Sequence, residues 1–308
     1  MKIRLLNYLE EIKVTISNFF IKIYIAISTK GDAIRAKGLS TPEQIQRIDN
    51  IKYNESQLLD IYYPKDTDKP LPTIISIHGG GWVYGSKDDY QFFCMDLATK
   101  GFTVINFDYH LAPEFTYPIQ LTDCLDLFKF VEKNHQKYFI DLDNLFLIGD
   151  SAGAQMAHQL TVIHTNQEYR DIMNIGCSNL NFKALGLNCG IYNLEMVNFN
   201  PFIKAILSPY LGWETKKYGR QLYPLHYQNK NFPPSFVFTS KNDFFKNYQK
   251  PLLDKLEEND TEHYFTIYGQ KEKKMVVHVF HIDIKTAIGQ KANNDQINFF
   301  RSKITTKD

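Results

Sequence analysis

The sequence predicts an α/β fold in which a mostly parallel central sheet is flanked by helices. Three observations lead there. From residue 73 onward, runs of β-branched and aromatic residues alternate with stretches of helical periodicity, the pattern of a parallel sheet covered on both faces. The apolar run Leu145-Phe146-Leu147-Ile148 meets Gly149-Asp150-Ser151-Ala152-Gly153-Ala154, and then Met156, Leu160 and Ile163 recur at i, i+4, i+7 spacing, a strand-turn-helix unit. The β-prone run Thr73-Ile74-Ile75-Ser76-Ile77 also ends in a glycine-rich turn, His78-Gly79-Gly80-Gly81-Trp82. With 308 residues, no internal repeat and no low-complexity linker, the chain reads as a single domain over 1–308.

Taken in order, the first element is a long helix. Leu5, Leu9, Ile12, Ile16, Phe19, Ile23 and Ile27 recur at four- and three-residue steps, so one of its faces is apolar. Glu10, Glu11, Lys13 and Lys22 interrupt the stretch, which argues against a transmembrane span and against a signal peptide. The expectation is that the apolar face packs on the body as part of a cap over residues 1–45, in preference to lying on a membrane surface. Strand-like runs follow at 73–77 and at Phe102-Thr103-Val104-Ile105-Asn106-Phe107, then a helix near 119–134, the strand and helix around Ser151, and the run Ala184-Leu185-Gly186-Leu187-Asn188. Residues 192–231 break the alternation. They are rich in aromatics, Phe199, Phe202, Tyr210, Trp213, Tyr218, Tyr223 and Tyr227, and are expected to complete the cap. The strand-like runs Ser235–Ser240 and Tyr264–Gly269 close the series.

Gly-x-Ser-x-Gly at a strand-to-helix turn has a physical reason. The turn is too tight for side chains on its flanks, and it holds the serine hydroxyl exposed above the sheet. Ser151 is therefore the candidate nucleophile. Acyl transfer through a serine passes through an oxyanion, which needs donors already aimed at the developing charge. Consecutive glycines allow backbone N–H groups to come that close, so Gly80, Gly81 and Ala152 are the candidate oxyanion donors, with His78 shaping the loop. A nucleophilic serine also needs a base and an orienting acid, and on an α/β fold with this strand-turn-helix nucleophile they follow in the chain order Ser, Asp or Glu, His. Asp243 stands just past the strand-like run 235–240, and His278 follows the run at 264–269, with His281 as its rival; His263 comes too early.

On these residues the chain resembles the hormone-sensitive-lipase-like esterases, a family with the α/β-hydrolase fold. The resemblance rests on His78 to Trp82, on Asp108-Tyr109-His110-Leu111-Ala112-Pro113-Glu114, on Gly149 to Ala154 and on His278-Val279-Phe280, with Leu59-Asp60-Ile61-Tyr62-Tyr63-Pro64 as an opening phrase. It spans roughly residues 50–285 and implies an α/β-hydrolase fold with a helical cap. It further implies a triad of Ser151, Asp243 and His278, because the family's histidine is followed two positions later by Phe, here Phe280. Short to medium acyl chains are the implied substrates. The chain departs from the family at His110, where Arg is usual, at Ala154, often Gly, at Asn247, often Asp, and in the charged stretch Lys271 to Lys274.

Composition removes other function classes. A formal net charge of +1 without a basic stripe gives no footing for nucleic acid. Cys94, Cys124, Cys177 and Cys189 have neither metal spacing nor disulfide-scaffold density, so the expectation is reduced thiols in the cytoplasm, with no metal and no cofactor. The expected activity is hydrolysis of a small-molecule ester through an acyl-enzyme. An amidase or peptidase on the same triad and a non-catalytic ligand-binding relative are the alternatives, and a homodimer is the assembly left open.

Overall fold

A computed structural model describes residues 2–194 and 201–305; within 2–13 and at 202 and 215 it describes the backbone alone. Eight strands form one sheet in the order β1-β2-β4-β3-β5-β6-β7-β8. They are β1 (Ile45–Lys52), β2 (Leu58–Pro64), β3 (Leu71–Ile77), β4 (Thr103–Phe107), β5 (Ile140–Asp150), β6 (Phe182–Asn188), β7 (Ser235–Ser240) and β8 (His263–Tyr268). β1 and β2 run antiparallel to each other, and β2 runs antiparallel to β4. The remaining pairs are parallel, as the alternation of patterns predicts.

Both faces of the sheet are buried, which is why its central strands read as unbroken apolar runs. Ile75, Ile77, Leu145 and Leu147 point to one face, under α3 (Ile119–Asn134) and α4 (Ala152–Thr165). Ile74, Phe146 and Ile148 point to the other, under α2 (Lys87–Ala98) and α9 (Ala287–Arg301), where Phe93, Leu97, Ile297 and Phe300 meet them. On β2 the same alternation buries a charge. Asp60 is fully enclosed and receives Lys87 Nζ at 3.2 Å, the Tyr62 hydroxyl at 2.9 Å and the Asn50 N–H at 2.8 Å, so the carboxylate is paired rather than stranded. The short helices α5 (Gln167–Met173), α7 (Thr215–Tyr218) and α8 (Lys250–Glu258) join the remaining strands.

The expected N-terminal helix is α1 (Lys2–Ala36), and it lies against α6 (Pro201–Tyr210). The face it turns inward differs from the one predicted. Ile16, Phe19, Ile23 and Ile27 are exposed, whereas Ser17, Ile21 and Asp32 are buried; the side chains of Leu5, Leu9 and Ile12 lie outside the described ones. The reason is local. Ser17 is small enough for close approach to α6 and donates its hydroxyl to the Ala205 carbonyl. That contact rotates the aliphatic stripe toward solvent. Among the described residues no helix is long and apolar enough to cross a membrane.

Of the aromatics in 192–231, Phe199 lies outside the described residues, as does the side chain of Phe202. Tyr210 stacks on Trp82 with centroids 4.6 Å apart, Tyr218 meets Tyr117 edge-on at 4.8 Å, and Tyr227 stacks on Tyr169 at 5.0 Å. These rings fasten the segment to the body.

Candidate active site

Register brings two loops together. Ile77 pairs with Gly149 and Asp150 with Asn188, so the glycine loop after β3 and the serine turn after β5 leave the same edge of the sheet side by side. Ser151 has φ 55° and ψ −113°, a costly conformation for a side-chain-bearing residue. Its N–H donates to the Asn188 carbonyl at 2.8 Å, which anchors the turn. The flanking glycines follow from contact. An added Cβ on Gly149 would stand 2.6 Å from the Ala154 nitrogen, and one on Gly153 would stand 2.6 Å from the His78 carbonyl oxygen, both closer than real Cβ atoms come.

Above this turn the Ser151 hydroxyl stands 2.9 Å from Nε2 of His278, and Nδ1 of the same ring stands 3.0 Å from Oδ1 of Asp243. The histidine reaches that position through a sharp turn. Val279 sits at φ 46°, ψ 36°, a conformation rare for a β-branched residue, and it lies between His278, which meets Ser151, and His281, which meets Asp150. Phe244 and Phe245 pack on the His278 ring, with centroids at 4.5 and 5.1 Å. Asp243 also accepts the Thr239 hydroxyl at 2.8 Å and the Phe245 N–H at 2.7 Å. Burial pushes its carboxyl up, but the hydrogen bond and charge of His278, with the Phe245 N–H and the Cys189 thiol, outweigh it and hold the group below its ordinary value. Cys189, Asp243 and His278 present donor atoms within 4.8 Å of one another. Burial raises the Cys189 thiol well above its usual range, so it stands as a neutral S–H beside the carboxylate.

His281, the sequence's rival base, lies elsewhere. It is fully buried, its Nε2 stands 2.9 Å from Asp150 Oδ1, and it packs edge-on against Phe238 at 4.8 Å and Phe93 at 5.4 Å. Asp150 Oδ1 also accepts from Asn188 Nδ2 at 2.8 Å, and Asn188 Oδ1 accepts from Gln296 Nε2 of α9 at 2.7 Å. A buried polar network thus supports the serine turn from beneath. His263 opens β8, with Nδ1 2.9 Å from the Thr261 carbonyl.

The glycine loop is held from outside. Gly79 donates its N–H to the Tyr90 hydroxyl at 3.0 Å, while the Gly80 carbonyl accepts the N–H groups of Val83 and Tyr84 at 3.2 and 3.0 Å. Gly80 and Gly81 take φ of 121° and 61°, and an added Cβ on Gly80 would overlap the Tyr84 carbonyl. Both glycines line the cavity together with Ala152, which opens α4 and whose N–H has no intrahelical acceptor. His78 is buried under this loop, stacked on Tyr109 at 4.1 Å with Nδ1 2.7 Å from the Gly79 carbonyl, and burial lowers it to about 4. It remains neutral and braces the loop.

Ser151, His278, Gly80, Gly81 and Ala152 line one cavity of about 390 Å³. Ile203 and Ile206 of α6 and Tyr24 and Ile27 of α1 form its roof, and Asp32, Arg35 and Asp89 stand among its polar lining. The supports of Asp243 and of the serine turn, namely Thr239, Cys189, Asn188 and Gln296, escaped the sequence reading. Only the position of Thr239, four residues before Asp243 at a strand's end, could have signalled one of them.

The family model described as BD-FAE matches residues 59–255. The versiconal hemiacetal acetate esterase of Dothistroma septosporum is 37% identical over 115 residues, which cover 37% of this chain and 33% of that protein. The kynurenine formamidase of Salmo salar is 32% identical over 125 residues, 40% of each chain. The matched stretch therefore spans between 33% and 40% of the length of these curated relatives. Among solved structures, esterase B from Lactobacillus Rhamnosis superposes with a TM-score of 0.85 at 22% identity, covering 94% of this chain and 95% of that one, a likeness of fold.

Proposed function

The chain belongs to the BD-FAE family and has the α/β-hydrolase fold, and from that premise we propose that it is a serine hydrolase of carboxylic esters. The observation that carries the reading is the continuous hydrogen-bonded line from the Ser151 hydroxyl through His278 to Asp243, at 2.9 and 3.0 Å. In the first step Ser151 Oγ attacks the ester carbonyl as its proton passes to His278 Nε2, and Asp243 holds the imidazole with Nδ1–H toward it. The carbonyl oxygen becomes an oxyanion held by the N–H groups of Gly80, Gly81 and Ala152. Collapse expels the alcohol, protonated by His278, and leaves an acyl group on Ser151. Water, deprotonated by the same imidazole, then releases the acid. The rings of Phe244 and Phe245 pack on the imidazole and help to fix its orientation. A roofed cavity with apolar walls supports short to medium acyl chains.

Amide cleavage on the same triad is kept as a second reading because a formamidase is among the relatives. The test compares p-nitrophenyl acetate and butyrate with matched anilides. Ester turnover far above anilide turnover is expected, with Ser151→Ala lowering kcat by about 10⁴-fold or more and abolishing fluorophosphonate labelling at the active site. A folded Ser151→Ala protein that retains wild-type ester turnover would refute the proposal.

A further inference from the structure

Outside the cavity lining, three elements bring a second serine, histidine and aspartate into line. Ser56 sits in the connection between β1 and β2, His110 follows β4, and Asp123 belongs to α3. The Ser56 hydroxyl stands 3.0 Å from His110 Nε2, and His110 Nδ1 stands 2.8 Å from Asp123 Oδ2. These are the same ring nitrogens in the same order as at Ser151. Asp123 accepts the backbone N–H of His110 at 2.8 Å and Asn54 Nδ2 at 3.1 Å, which fixes the carboxylate. Facing it, Nδ1 carries the ring proton, so Nε2 presents a lone pair to the Ser56 O–H. Phe115 covers the imidazole, its centroid 4.0 Å away, while Ser56 itself is exposed.

We infer that Ser56 is a second, stoichiometric acyl-acceptor site, activated by His110 and Asp123 and open to activated esters from solvent. Ser56 Oγ forms the bond to the acyl carbon, the bond to the leaving alkoxide or phenoxide breaks, and the hydroxyl proton passes to His110 Nε2 and on to the leaving group. What distinguishes this place from the cavity is the missing oxyanion site. The N–H groups of Ser56 and Gln57 are both given to Asn54 Oδ1, at 3.0 and 2.7 Å, so neither is free for a tetrahedral oxygen. That lack slows the release step, which needs the same stabilisation as attack. The acyl group accumulates instead of turning over.

The test uses full-length Ser151→Ala protein with p-nitrophenyl acetate, read by peptide mass spectrometry, so that its result is independent of the function proposed for Ser151. Acetylation of Ser56 is expected to run about 10²-fold faster than that of the exposed Ser302, which has no imidazole beside it, and to stop at one acetyl per site. His110→Gln should remove the advantage. In otherwise wild-type protein, Ser56→Ala should leave ester turnover unchanged, which also reports that the variant is folded. Labelling of Ser56 no faster than Ser302, an unchanged rate in folded His110→Gln, or sustained Ser56-dependent release of p-nitrophenol would each overturn the inference.

Discussion

At the residue scale, the chemistry proposed for this chain depends on which titratable side chains are kept neutral and which are kept charged. His78 and His158 are both fully enclosed, and burial lowers each from 6.5 to about 4. His158 has one partner, Gln228 Oε1 at 2.8 Å from Nε2, and His78 leans on the Gly79 carbonyl. Because the unfolded chain binds these protons at the higher pH, the stability each contributes is complete above 6.5 and is lost as pH falls toward 4. The loss amounts to about 3 kcal/mol per histidine. Thermal melts should therefore fall by several degrees across that window, and His158→Phe should flatten part of the fall. Equal melting temperatures at both ends would contradict this account. The same scale explains what the sequence hid. His278 and His281 are three residues apart in one apolar stretch, and across the left-handed turn at Val279 one meets Ser151 and the other Asp150. No pattern of residue types encodes that turn, since a β-branched residue is the last expected in it.

At the scale of elements, the serine turn and the glycine loop are one construction, because β3 and β5 are neighbours in register. Gly153 is where the two parts touch, with the Ile77 and His78 carbonyls where a side chain would begin. Gly153→Val should push α4 off the end of β3 and lower the urea-unfolding free energy by about 2 to 3 kcal/mol. An unchanged midpoint would show that α4 can shift freely. The parallel strands were legible in the sequence because burial on both faces writes continuous apolar runs, and Ser235–Ser240 was read to the residue. β1 was not. Its isoleucines fall at 45, 48 and 51, a helix-like step, because a bulge between Ile48 and Ile51 shifts the pairing with β2 and breaks the period of two. The inward face of α1 was misread for a related reason: periodicity locates an apolar stripe but cannot tell whether a small residue such as Ser17 brings a neighbouring helix closer on another side.

Across the whole molecule, the cavity joins the two ends of the chain. α1 and α6 supply the roof, and Ile206 Cγ2 reaches to within 2.8 Å of where a side chain on Gly81 would start. Ile206→Trp should fill the space beside the glycine loop and raise KM for the butyrate ester about tenfold more than for the acetate, measured by parallel steady-state kinetics. Equal effects on both esters would place the acyl group elsewhere. The floor is supplied from the opposite end, where Gln296 of α9 closes the network through Asn188 to Asp150. This closure has a consequence in time. During synthesis Ser151 emerges first, and His278 and Gln296 follow only after more than a hundred further residues, on the order of ten seconds later. A partly made chain carries Ser151 without the His278 imidazole beside it and without the floor beneath it. The chemistry proposed at Ser151 is thereby withheld until α9 has been added.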